Sequence, residues 1–376
     1  MRVMIAGGGT GGHVYPALAI LDELKRKHAD VEVAYVGTRR GMEARVLGGR
    51  PWVRFMPIHA HGRRPGERFD RIRVGLWLAL SLVEAAIALL RFRPNVVLGV
   101  GGYSSFPPLL VASLAGRLLP VRTVVHEQNA VAGLANRWLS RFVDCVLVSY
   151  PTSRDQFPRA KRVVTTGNPI RAEFLRQERT EEGYRAFGLR SDRRTILVFG
   201  GSQGAPDLVT QVLAGADELA ARGEIQVLLV TGNDRAAADA RRALARDGIG
   251  NVVVVPYVQD MPTAFALADL VVSRAGATTL AEITVCGKPA VLVPWRGATD
   301  DHQLENARVL EREEACRLVG DETMVRHELV KFVLDVVCDE STLVRLGENA
   351  RRLGRREAGT LIRTEIEALA RGAGAA

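Results

Sequence analysis

Short, uninterrupted apolar runs alternate with stretches of helical periodicity along nearly the whole chain. Met1 to Ala6, Val31 to Val36, Val96 to Val100, Val121 to Val125 and Cys145 to Val148 form a first series of runs. Thr195 to Phe199, Gln226 to Val230, Val252 to Val255, Leu270 to Val272 and Ala290 to Val293 form a second. Apolar runs of this length without polar alternation predict strands of parallel sheets covered by helices on both faces, so the fold class is α/β. After the first run comes Gly7-Gly-Gly-Thr-Gly-Gly-His13, then Ala17, Leu18, Leu21 and Leu24 at helical spacing. The same strand, glycine turn and helix restart at Thr195 to Phe199 with Gly200-Gly-Ser-Gln-Gly204. Two Rossmann-like, doubly wound domains are expected, and 376 residues suffice for two cores. The break is placed at Gly167-Asn-Pro-Ile-Arg171, giving domains 1–166 and 167–349. A final helix, about Ala350 to Leu369 within 350–376, is expected to cross back onto the first domain.

One helical stretch is unusually apolar. Val74 to Leu90 carries a single charge, Glu84, and is just long enough to span a bilayer. Spanning would put the Gly7 turn and the His126 to Asn129 segment on opposite sides of a membrane. As an ordinary helix the stretch has a core face at Leu76, Leu80, Val83, Ile87 and Leu90 and a weakly polar line at Trp77, Ser81, Glu84 and Ala88. A surplus apolar line, Leu78, Leu82, Ala85 and Leu89, then suits either a second buried face or an anionic membrane surface, since Arg68, Arg71, Arg73, Arg91 and Arg93 flank it.

Composition narrows the class. A net charge of +9 favours an anionic partner, whether nucleic acid, acidic membrane or phosphorylated substrate. The chain shows no nucleic-acid module and no aromatic-interleaved basic stripe, so nucleic acid ranks last. The four cysteines, Cys145, Cys286, Cys316 and Cys338, are widely spaced without metal-ligand pattern and read as reduced thiols of a cytosol. The opening residues are too short for a secretory signal core.

Glycine turns at strand ends suit phosphorylated ligands, because helix N-termini favour anions. Gly7-x-Gly9-x-x-Gly12 with Glu32 about 20 residues on also satisfies the dinucleotide fingerprint. A dehydrogenase is therefore a rival reading, and a purely structural turn another, but His13 directly after the last glycine would crowd a pyrophosphate. In Ser273-Arg-Ala-Gly-Ala-Thr-Thr-Leu-Ala-Glu282, a strand runs into a glycine turn where Thr278 or Thr279 is suited to cap the next helix. Glu282, one turn inside, could accept both hydroxyls of a ribose, or serve as a capping-box acid.

Together with Gly101-Gly-Tyr-Ser104, His126-Glu-Gln-Asn129, Gly167 to Arg171, Gly200 to Ala205 and Asp301-His-Gln303, these segments make the chain resemble the MurG family of bacterial glycosyltransferases. The likeness runs nearly end to end. It implies a GT-B fold with a cleft between the halves, and inverting transfer of GlcNAc from UDP-GlcNAc to the MurNAc C4 hydroxyl of lipid I, giving lipid II for peptidoglycan, cell shape and division. By the same likeness Ser202 and the helix start Ala277, Thr278, Thr279, Leu280 and Ala281 meet the donor diphosphate, and Glu282 the ribose. Asn129, Arg171 and Gln303 face the donor, the backbone at Val258 holds the uracil, and Thr10, Gly11 and Gly12 lie near the transferred sugar. His13 leads as general base, with Glu127 second and a helix-start role for His13 as the bland alternative. No metal or other cofactor is expected, a helix dipole standing in for the metal. Expected partners are UDP-GlcNAc, lipid I, an anionic membrane surface and cell-wall synthesis or division proteins, at the cytoplasmic face of the plasma membrane. Tyr15, where the family often has phenylalanine, and the arginine-rich loop His61 to Arg68 depart from the pattern. A nucleotide-sugar isomerase and a non-enzymatic membrane adaptor are the remaining rivals.

Overall fold

The computed structural model describes residues 1–60, 70–176, 178–201, 204–295, 297 and 301–374. The chain divides into two compact units, Met1–Arg171 with Glu357–Ala376, and Ala172–Arg356.

The first unit holds seven strands: β1 (Arg2–Ala6), β2 (Glu32–Thr38), β3 (Val53–Ile58), β4 (Val96–Gly99), β5 (Arg122–Glu127), β6 (Cys145–Val148) and β7 (Val163–Thr165). All pair in parallel in the order β3-β2-β1-β4-β5-β6-β7. The second unit has six, β8 (Arg194–Phe199), β9 (Ile225–Val230), β10 (Val252–Val255), β11 (Leu270–Ser273), β12 (Ala290–Leu292) and β13 (Arg317–Leu318). They too are parallel, in the order β10-β9-β8-β11-β12-β13. Both units are therefore doubly wound α/β sheets, as the strand pattern requires.

The alternation of a strand sends successive side chains to opposite faces, and β1 shows the result. Val3 and Ile5 join a core with Val14, Leu18 and Leu21 of the Gly11–Lys27 helix and with Ile362 and Ile366 of the Ala358–Gly374 helix. Met4 and Ala6 join a second core with Ala88, Leu89, Phe92 and Leu109. In each sheet the strand order reverses at one place, between β1 and β4 and between β8 and β11. Ligands of open α/β sheets bind at such switch points, beyond the carboxyl ends of the strands. The glycine turns after β1, β4, β8 and β11 all lie there.

Two expectations change. The Glu340–Leu353 helix runs through the 349/350 boundary, and the final helix is Ala358–Gly374, not Ala350 to Leu369. The break falls at Gly354, where a Cβ would lie 2.6 Å from Thr284 O, so the chain passes too close for a side chain. In the apolar helix, Asp70–Phe92, the inward face is not the one expected: of the surplus line, Ala85 and Leu89 turn inward, Leu82 is half-buried and Leu78 stays exposed. Ser81, Ala85, Ala88, Leu89 and Phe92 are buried, while the residues assigned to the core, Leu76, Leu80, Val83, Ile87 and Leu90, are exposed by 41 to 68%. Small residues let the helix lie close to its neighbours, and Ser81 Oγ is satisfied by donating to Leu78 O. Glu84 accepts the His59 N–H at 2.6 Å and pairs with His59 Nδ1 at 2.6 Å, with Trp77 stacked on that imidazole.

Candidate active site

In the first unit the turn after β1 opens with Gly9 at φ 95°, a conformation that favours glycine. A buried carboxylate holds it. Glu43 accepts N–H groups from Thr38 at 2.7 Å and Gly9 at 3.3 Å, and the Thr38 hydroxyl at 2.8 Å. Side chains at Gly8, Gly37 or Gly41 would collide with it. No periodicity singles out Glu43 in the sequence; the nearby Gly37 and Gly41 were its only trace. Thr10 is the N-cap of the Gly11–Lys27 helix, with extended φ and ψ and no side-chain cap bond. Gly11 and Gly12 form its opening turn, and the His13 and Val14 N–H groups both reach Thr10 O. The half-buried His13 imidazole packs over Gly101, where a Cβ would lie 2.7 Å from Nδ1.

The end of β5 supplies the next group. His126 is fully buried, with Nε2 3.0 Å from Gly167 O. Burial pulls its pKa down to about 4 against smaller raising effects of that carbonyl and of Glu127, so the ring is neutral. Glu127 is 2% exposed and saturated with donors. Oε1 accepts from Asn129 N at 3.0 Å and Nδ2 at 3.2 Å, and Oε2 from Gly133 N at 3.0 Å and Asn136 Nδ2 at 2.8 Å. It shapes the loop that presents Asn129. Arg171 lies with its guanidinium 5.5 Å from the centre of the Tyr15 ring, a contact a phenylalanine face would also provide.

In the second unit, Gly201 and Gly204 adopt φ of 85° and 72°, and Gly204 donates its N–H to Gly201 O at 3.1 Å. Ser202 lies outside the described residues. Arg274 brackets the next turn: it donates to Val293 O at 2.9 Å and Pro294 O at 3.3 Å and pairs with Asp207. The Ala277–Cys286 helix is capped by Gly276 with no side-chain cap bond, so the expected Thr278 or Thr279 cap is corrected. Those threonines are the second and third helical residues. The open N-terminus keeps amide dipoles turned outward, a seat for anionic oxygens. Leu280 donates its own N–H to Gly276 O at 3.0 Å and buries its side chain, while Ala281 is half-buried. Glu282 is the sixth residue of the helix, and a capping box needs the third, which excludes that reading. Val258 is buried in the loop between β10 and the Met261–Leu267 helix, which leaves any ligand contact to its main chain. Gln303 Oε1 accepts the Trp295 N–H at 2.9 Å. Among the described residues no three His, Cys, Asp or Glu side chains converge as metal ligands.

Two doubly wound α/β units, one with a histidine beside its glycine-turn switch point and one with an uncapped helix start at its own, are of the class that binds phosphorylated ligands at the carboxyl ends of the strands. Residues 3–148 match the glycosyltransferase family 28 N-terminal domain and residues 195–360 the glycosyltransferase family 28 C-terminal domain. The chain belongs to glycosyltransferase family 28. It is 40% identical over 362 residues, 95% of this chain and 96% of the other, to a protein of Desulfitobacterium hafniense (strain Y51). A Bacillus subtilis (strain 168) protein is 34% identical over 98% of this chain and 99% of its own. Both are named UDP-N-acetylglucosamine--N-acetylmuramyl-(pentapeptide) pyrophosphoryl-undecaprenol N-acetylglucosamine transferase. Among solved structures, Acinetobacter baumannii MurG superposes with a TM-score of 0.76 at 28% identity, covering 98% of this chain and 99% of that one. A UDP-GlcNAc 2-epimerase from Neisseria meningitidis, at 17% identity and TM-score 0.65 over 98% of this chain and all of its own, shares the fold alone.

Proposed function

We propose that this protein transfers GlcNAc from UDP-GlcNAc, with inversion, to the MurNAc C4 hydroxyl of lipid I, producing lipid II for peptidoglycan. The carrying observation is the 34 to 40% identity, across nearly the full chain, to transferases bearing that activity in their names. The test is UDP release from UDP-GlcNAc that depends on a lipid I analogue. Acceptor-independent epimerisation would turn the reading to an isomerase, and no turnover with either substrate would leave an adaptor.

Inversion at the anomeric carbon needs one base for the attacking hydroxyl and stabilisation of the departing diphosphate. His13 takes the first role: it is half-buried at the β1/β4 switch point on an imidazole-bearing helix start. Glu127 is set aside as base, because four N–H donors fill its carboxylate. The second role falls to the uncapped helix start at Ala277, whose dipole favours the charge that develops on UDP. In this reading Ser202, Thr278, Thr279 and Ala281 serve the diphosphate, Glu282 the ribose and Val258 the uracil, and Asn129, Arg171 and Gln303 are further donor-binding residues. Thr10, Gly11 and Gly12 sit beside the transferred sugar.

The protein attaches peripherally to the cytoplasmic face of the membrane through the Asp70–Phe92 helix. Leu76, Leu80, Val83, Ile87 and Leu90 form one exposed line at helical spacing, and Leu114, Leu118 and Leu119 are exposed at the end of the adjoining Phe106–Ala115 helix. A patch of this kind on a basic protein suits an anionic bilayer. By length and composition the helix is long and apolar enough to cross a membrane. Its other face, however, is built into the core with Met4, Ala6 and Val97, which a spanning helix would abandon.

A further inference from the structure

Near the carboxyl ends of β4, β5 and β7, a chain of polar groups fixes the direction of one buried oxygen. Gly167 O can only accept, so His126 Nε2, 3.0 Å away, carries the proton. In a neutral ring Nδ1 is then the acceptor. Gln128 Nε2 lies 3.2 Å from that Nδ1 and 2.8 Å from Val100 O. Both partners accept, so the amide nitrogen must face them and a flipped amide would lose both bonds. Gln128 Oε1 is thereby turned away from them. It is buried and accepts no hydrogen bond among the described residues. What it faces is Gly101: a Cβ added there would sit 3.5 Å from Gln128 Oε1 and 2.7 Å from His13 Nδ1. The missing side chain at Gly101 leaves open space beside both the amide oxygen and the imidazole.

We propose that Gln128 is a positioning residue for His13, its Oε1 accepting the Nδ1–H and so leaving Nε2 bare toward the acceptor hydroxyl. This rests on His13 being the general base. A carbonyl oxygen cannot donate, so it selects the Nδ1–H tautomer against the Nε2–H form that free imidazole favours. Pairing also relieves a buried acceptor that is otherwise unsatisfied. The choice of an amide has a further effect. A carboxylate at the same place would stabilise the imidazolium and raise the pKa of His13, whereas the neutral amide orients the ring without holding a proton on it. The one carboxylate beside it in sequence, Glu127, is occupied by its own loop.

The test is nitrogen NMR of the histidine-labelled protein, with the His13 signals assigned by their loss in His13→Gln. The wild-type ring should show Nδ1 protonated and Nε2 bare above its pKa, and Gln128→Met, which keeps the length but not the acceptor, should return it to the Nε2–H form. Alongside, Gln128→Met should lower kcat about 10- to 100-fold with the KM for UDP-GlcNAc nearly unchanged. A wild-type His13 in the Nε2–H form overturns the proposal even if the variant fails to fold, and so does an unchanged tautomer in a folded Gln128→Met. If His13→Gln keeps its kcat, the base assignment itself fails. A lost kcat there, with a tautomer indifferent to Gln128, removes only the positioning role.

Discussion

Asn136 Nδ2 stands 2.8 Å from Glu127 Oε2, inside a loop that delivers three further N–H groups to the same carboxylate. A general base must have a lone pair to spare, and here the loop takes them. His13→Ala should therefore lower kcat by about 10² to 10⁴ and abolish the acidic limb of its pH profile. Glu127→Gln should instead retain that limb while destabilising the fold, since an amide nitrogen would meet N–H donors at a cost of about 1 to 3 kcal/mol. Melting curves and pH–rate profiles of the two variants distinguish the roles. An acidic limb lost in Glu127→Gln and kept in His13→Ala would reverse them.

Glu282→Ala is expected to raise the KM for UDP-GlcNAc roughly 10- to 100-fold and to leave the acceptor KM almost alone. Hydrogen bonds to a charged group contribute about 1.5 to 3 kcal/mol, and two ribose hydroxyls would lose theirs. Initial-rate kinetics with each substrate varied in turn decide the matter, and an unmoved donor KM removes Glu282 from the ribose.

The exposed line of the Asp70–Phe92 helix sets a sharper membrane test than the sequence alone could. Glutamate at Leu76, Leu80 and Val83 should reduce sedimentation with anionic vesicles and slow turnover of a long-chain acceptor. Turnover of a short-chain, water-soluble acceptor and the melting temperature should change little. Leu89→Glu places a charge in the core and should cost several kcal/mol of stability. Equal loss with both acceptors in the triple variant would disconnect this line of leucines from membrane attachment.

Buried His126 ties stability to pH in a definite direction. Its pKa falls from the ordinary 6.5 to about 4 in the folded chain, so below about 6.5 the unfolded state binds the extra proton first. Its contribution is full above pH 6.5 and is lost as pH falls toward 4, a change on the order of 3 kcal/mol. Denaturant titrations between those limits should show a steeper decline for wild type than for His126→Gln. Parallel declines would mean that the buried ring does not titrate with unfolding.

The interior strands were legible from the sequence because burial on both faces demands an unbroken apolar run. The three strands missed, β3, β7 and β13, all lie at sheet edges. An edge has a neighbour on one side only, so β3 tolerates the exposed Arg54 and the half-buried Pro57, and β7 and β13 shrink to three and two residues. The glycine turns were also legible, because positive φ at Gly9, Gly101, Gly167, Gly201 and Gly204 is a local demand written in local residues. Glu43 and Gln128 were not. What they do depends on partners in other segments, Gly9 and Thr38 for one, Val100 and the ring over Gly101 for the other. The helix period of Val74 to Leu90 was plain while its inward face was misread, since periodicity does not say whether bulk or closeness wins at a contact.

The two isoleucines at 362 and 366, wholly buried beside Val3 and Ile5, set an order of events during synthesis. Residues 357–376 leave the ribosome after residues 172–356, so the second unit has all of its sequence available while the first still lacks part of its core. Until then, Val14, Leu18 and Leu21 of the opening helix have an incomplete cover, and the nascent first unit is the species exposed to chaperones and to aggregation. A fragment ending at Arg171 would be arrested in that state, whereas supplying 357–376 as a separate peptide should rescue it.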